Sequence, residues 1–168
     1  MANRDNRRGF WLSRTLTGQG ARLERGYLSA NVACAHGDAL YATTGYLRTT
    51  VTTDKAIIGF ATENVASSSS NLSVSFVPAF DGYIFAGQCS GTPTQALMYT
   101  LVDIEGTANG SAGVFGYSIQ EINENASSVK NIYLVNHDPE KSSMGLNAIL
   151  EFVVARNKFT AKPVLSIG

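Results

Sequence analysis

From Gly26 to Ala155 the sequence changes character every few residues, and that rhythm leaves room for little but β-structure. Short β-branched and aromatic stretches are cut by Gly, Pro, Asn, Asp and Ser, and no stretch carries a convincing amphipathic helical pattern. The cleanest segment is Leu72–Phe76, where Leu72, Val74 and Phe76 face one way and Ser73 and Ser75 the other. Pro78 closes it, because proline has no N–H for a ladder. Similar segments are read at Tyr27–Ala35, Ala39–Tyr41, Tyr46–Arg48, the β-branched run 49–53, Ile57–Ala61, Tyr83–Phe85, Leu97–Ile104, Phe115–Ile119, Asn131–Val135 and Asn147–Ala155. The last, NAILEFVVA, has helical propensity in part, but its β-branched and aromatic residues and its lack of a polar stripe favour a strand. The pattern predicts an all-β fold, a small β-barrel or sandwich of about nine to ten short strands.

The front of the chain differs. Residues 1–25 show no clean period of either kind, and Asp5-Asn6, Gly9, Gly18 and Gly20 would break a helix. They read as an extended N-terminal arm on a single body spanning 26–168, and a mobile tail is the plain alternative. Six arginines (Arg4, Arg7, Arg8, Arg14, Arg22, Arg25) stand there against Asp5 and Glu24, a net of +4 in a chain whose total is zero. Charge separated in this way suits docking better than chemistry. Phe10-Trp11-Leu12, with the only tryptophan, supplies apolar anchors. Arg4, Arg7, Arg8, Phe10, Trp11 and Arg14 are therefore the expected contact residues. Deleting residues 2–25 is expected to leave a folded body that no longer attaches to its partner.

Composition narrows the function further. Charged residues make up only 15% of the chain and glycines number sixteen, which suits a turn-rich β-protein with extensive contact surface. No apolar run approaches the ~18–20 residues of a membrane span. The arginine-bearing front lacks the apolar segment of a secretory signal. Overall neutrality argues against a dedicated nucleic-acid binder. Cys34 and Cys89 lie too far apart in sequence for a metal knuckle and are expected to be reduced and buried, with a single disulfide as the alternative.

No catalytic pattern emerges. His36 and Asp38 flank a glycine, and His137 precedes Asp138, but two such pairs do not make a metal site or a triad. The serines cluster at Ser67–Ser70 rather than in a nucleophile elbow, and Gly106-x-x-x-Gly110 lacks the lysine of a phosphate loop. Seven tyrosines (Tyr27, Tyr41, Tyr46, Tyr83, Tyr99, Tyr117, Tyr133) could form a sugar or base platform, though strand packing explains them as well. The expectation is a non-enzyme with no cofactor and no metal.

The order of short segments carries a resemblance. GDAL (37–40), TGYL (44–47), AIIGFATENV (56–65), LSVSFVPA (72–79) and YIFAGQCSG (83–91) are followed by AGVFGYSIQEIN (112–123) and NAILEFVVAR (147–156), behind an opening MANRDNRRGF. Together they resemble the small β-barrel of tailed-bacteriophage capsid decoration proteins, also called cement or head-stabilising proteins. The resemblance implies a structural virion protein, made in the host cytoplasm and placed on the outer capsid surface. It implies a phage major capsid protein as partner, and a homo-oligomer, a trimer, that bridges neighbouring capsomers. The other readings open at this point are a tail-tube or tail-tip subunit and a lectin-like glycan-binding module.

Overall fold

Alternation and turn chemistry produce the expected class of fold. The structure, a computed structural model, describes residues 3, 5, 8–49, 56–106, 116–124, 131–137 and 141–155. Eleven strands lie within these residues: β1 Trp11–Thr15, β2 Glu24–Tyr27, β3 Ala39–Thr43, β4 Tyr46–Thr49, β5 Ile57–Ala61, β6 Ser73–Pro78, β7 Tyr83–Gln88, β8 Leu101–Glu105, β9 Glu121–Asn123, β10 Ile132–His137 and β11 Ile149–Val154. All pair antiparallel, in a six-stranded sheet ordered β1-β7-β11-β10-β8-β9 and a five-stranded sheet ordered β2-β6-β5-β3-β4. The result is a two-sheet β-protein, not a closed barrel. The five-stranded sheet curls until its edge strands β2 and β4 meet at one bridge, Leu28–Leu47.

Two cores follow from this curl. The larger lies between the sheets, where Phe60, Phe85 and Phe152 pack with Ile57, Val77, Ile104, Ile122, Ile132, Leu134 and Leu150. The smaller fills the inside of the curled sheet with Leu28, Cys34, Leu40, Leu47, Ala61, Val74 and Phe76. Strand β5 serves both cores, Ile57 and Phe60 facing one and Ala61 the other, which is why IIGFA reads as a continuous apolar run.

The structure corrects the reading of the front segment. It is extended, as expected, but it does not lie outside the body. Strand β1 pairs with β7, and β2 runs across the expected boundary at residue 25 to pair with β6. Phe10 is 1% exposed. Its ring lies 5.3 Å from Phe60 and edge-on to Phe152 at 5.5 Å, and it rests on Gly87, where a Cβ would come within 2.6 Å of it. Gly9 makes the entry possible. It takes φ +64°, and a Cβ there would sit 2.4 Å from that of Ser118 and 2.7 Å from the Gly37 carbonyl. The Phe10 amide then donates to that carbonyl at 2.9 Å. Deleting residues 2–25 would remove a core aromatic, an edge strand and part of a second, so a folded remainder is no longer the expected outcome.

Other segments shift as well. Between Leu28 and Ala35 only isolated bridges form, at Leu28 and Cys34, around Asn31 at φ 62°. Residues 95–97 make a single 3₁₀ turn, and β8 starts only at Leu101, after Tyr99 at φ 62°. Tyr117 makes one bridge to His36, and the strand comes later, at Glu121. Residues 50–53 and Phe115 lie outside the described residues. NAILEFVVA does form a strand, β11, in the middle of the six-stranded sheet.

Candidate interaction surfaces

The expected contact residues part company in the fold. Arg4 and Arg7 lie outside the described residues. Phe10 is in the core and cannot act as an exposed anchor in this fold. Arg14, on β1, reaches across β7 to Glu151 of β11, with Nη2 and Nε at 3.0 and 3.3 Å from the same carboxylate oxygen. Glu151 is only 3% exposed and also accepts from the Ser13 hydroxyl and from Asn136 Nδ2 at 3.2 Å, with Lys141 Nζ at 3.8 Å. Burial alone raises its pKa, but the hydrogen bonds from Ser13, Arg14 and Asn136 and the charge of Arg14 outweigh it and hold the carboxyl below its usual range. Arg14 is thus paired within the fold while its side chain stays half exposed.

Arg8 and Trp11 remain at the surface, on the walls of a cleft of about 370 Å³ shared with Asn3, Gln88, Lys141, Ser142, Asn147 and Ile149. Its walls are pinned. Asn3 Nδ2 donates to the carbonyls of Ser143 and Leu146 at 2.8 Å each, while Asn3 Oδ1 accepts from the Ser143 amide at 2.9 Å. The Ser142 hydroxyl accepts from the Ile149 amide at 2.9 Å. At the base, the buried Gln88 donates to Asp5 at 3.0 Å and to Glu121 at 2.9 Å.

A second surface lies on the curled sheet. In β2, Arg25 and Tyr27 point outward, while Gly26 faces Leu47 and Phe76 of the inner core. In β4, Tyr46 and Arg48 point outward and Leu47 and Thr49 inward. The Leu28–Leu47 bridge sets these strands side by side, so Tyr27 and Tyr46 become neighbours on the outer face. Tyr41 stands opposite Arg48 across the β3–β4 ladder, and small residues, Ser73 and Ser75, stand opposite Tyr27 and Arg25. Tyr27 is 61% exposed and Tyr46 39%. Neither Arg25 nor Arg48 makes an ion pair with a described residue. Sequence reading noted the Tyr46–Arg48 segment but missed this surface, because the adjacency of β2 and β4 is non-local. The available signal was the shared out-in-out pattern of Arg-Gly-Tyr and Tyr-Leu-Arg.

The described histidines and cysteines each have neighbours within the fold. His137 Nε2 lies 3.3 Å from the Ser142 hydroxyl, but that hydroxyl is tied to the Ile149 amide, and among the described residues no carboxylate bonds to the ring. His36 packs edge-on to Tyr117 at 5.1 Å. Both cysteines are buried free thiols. Burial, and then the negative charge of Asp38, pushes Cys34 up to about 12, and burial with Glu124 close by pushes Cys89 equally high. Such thiols are protonated and poor nucleophiles. Among the described residues no three His, Cys, Asp or Glu gather as a metal site would need, and no helix is long and apolar enough to cross a membrane. Of the seven tyrosines, Tyr83 is engaged with Phe80, Phe85 and the Arg22 amide, and only Tyr27, Tyr41 and Tyr46 share one face. Compared with models of known protein families the chain matches none, and no curated protein matches it either.

Proposed function

We propose that this chain is a structural virion protein that binds the outer surface of an assembled phage capsid and stabilises the shell by bridging neighbouring major capsid protein subunits. The observation that carries this reading is the outer face of the curled sheet. Tyrosine and arginine are the residues that dominate protein–protein hot spots, and here they stand together, exposed, on a rigid sheet. Arg25 and Arg48 suit an acidic protein surface, since guanidinium groups clamp carboxylates bidentately. The resemblance in segment order supplies the kind of partner.

A protein that binds the shell but not its free subunits shifts the equilibrium against rupture by mass action. A homotrimer multiplies a modest single-site affinity through simultaneous contacts. The test is co-sedimentation of the purified protein with undecorated phage heads, after its mass in solution has been measured by light scattering. The expected result is a discrete small oligomer that pellets with heads, less so as salt rises. The double variant Arg25→Glu/Arg48→Glu should keep its unfolding midpoint and fail to pellet. Spontaneous long polymers would instead indicate a tail-tube subunit, and a monomer indifferent to heads would end the proposal.

A further inference from the structure

We propose that the slot holding β1 is a site between copies of this chain: in the oligomer, β1 and Phe10 of one copy seat against β7 of the next. This deepens the reading of the chain as a small homo-oligomer and rests on it. The slot has two parts, a strand edge and a pocket. The edge is β7, which carries β1 along a ladder from Trp11–Ala86 to Thr15–Tyr83. The pocket takes the Phe10 ring, 1% exposed, beside Phe60 and Phe152 and over Gly87. Polar bonds complete the seating. The Phe10 amide donates to the Gly37 carbonyl, and the Ser13 and Arg14 side chains donate to Glu151. These partners belong to the body from Gly37 onward, and none of them lies on β2, the strand that follows. A β1 donated by a second copy therefore keeps every one of these contacts, which is why an identical segment is the occupant the slot fits.

Exchange needs a connection with reach, and residues 16–23 have it. They step from the edge of one sheet to the edge of the other. Strands β6 and β7, on which β2 and β1 lie, make the same step with residues 79–82 alone. Fully extended, the longer connection spans about 26–29 Å, well beyond the ~10 Å between packed sheets. All of its residues are exposed. Gly18, at φ +69°, opens to an extended conformation without steric cost. Leu16 and Leu23, at its two ends, are 67% and 60% exposed. A self-contained chain leaves that apolar surface in water, whereas connections that cross between copies can cover one another.

The test is a disulfide placed across the β1–β7 ladder of the full-length chain. Trp11→Cys/Ala86→Cys puts thiols at directly opposed positions, whose Cα separation of about 4.5–5.5 Å suits a disulfide. Thr15→Cys/Tyr83→Cys repeats the test at the other end of the ladder, so the result does not hang on one pair folding. The native Cys34 and Cys89 are buried and stay out of the reaction. The mass of each variant in solution is measured by light scattering. The protein is then oxidised, denatured without reductant and sized by gel electrophoresis, and its free thiols are counted by mass spectrometry. Strand exchange links each copy to the next, so a trimer should run as one covalent trimer and return to single chains on reduction. Each single-cysteine variant should run as single chains. An oligomer whose disulfides all close within one chain would overturn the exchange and leave the capsid reading standing. A monomer in solution would overturn the oligomer reading and the exchange with it. Thiols that stay free in both pairs would contradict the ladder itself and end the proposal.

Discussion

Glu151 shows how single residues hold this sandwich together. Its carboxylate is buried on the middle of the six-stranded sheet and stays ionised because three side chains donate to it. Its folded pKa lies below the unfolded value, so its contribution to stability is full above the ordinary carboxylate range and is lost as pH falls through the folded pKa. Glu151→Gln is expected to cost about 1–3 kcal/mol at neutral pH and to flatten the acid limb of the stability curve, measured by urea unfolding from neutral to acidic pH. Gly87 makes the complementary point about space. A methyl there meets the Phe10 ring, so Gly87→Ala is expected to destabilise by about 1–3 kcal/mol, read as a lower unfolding midpoint. Phe10 was legible as an apolar anchor but not as a core residue, because nothing local shows that a ring near the chain start will meet Phe60 and Phe152 from distant strands.

At the scale of elements, legibility tracked how regular each strand is. Strand β6 alternates cleanly, and β5 and β7 are short apolar runs, so all three stood out. Strand β1 was hidden because the register shifts between Leu12 and Arg14, which breaks the period of two within five residues. Strand β2 was hidden because Glu-Arg-Gly-Tyr carries little β-propensity and is placed by its pairing with β6 and by the room Gly26 leaves for Leu47. The connection between them, residues 16–23, is exposed throughout, which matches the loop-like composition of that stretch. The β1 contribution is testable. A chain lacking residues 1–15 loses Phe10 and the edge strand together and is expected to lose cooperative unfolding in a circular-dichroism melt. A truncated chain melting as sharply as the full one would mean that the front segment is dispensable after all.

For the whole molecule, part of the charge that is separated along the sequence is paired in space among the described residues. Of the six front arginines, Arg14 is spent on Glu151 and Arg22 pairs with Glu24 at 2.6 Å. Arg25 instead joins Arg48, from the other end of the curled sheet, beside Tyr27 and Tyr46. The proposed docking surface is therefore a product of topology: the curl that creates the second core also brings β2 and β4 together and assembles the face outside it. Composition suits a contact protein, and the fold brings the tyrosines and arginines of the proposed face together. The most direct test of this account is hydroxyl-radical footprinting of the protein, free and saturating undecorated phage heads, with tyrosine oxidation read by mass spectrometry. Tyr27 and Tyr46 should become protected on heads, while Tyr99, 67% exposed beside the other sheet, stays as reactive as in the free protein. Unchanged oxidation of Tyr27 and Tyr46 on decorated heads would contradict the assignment of this face.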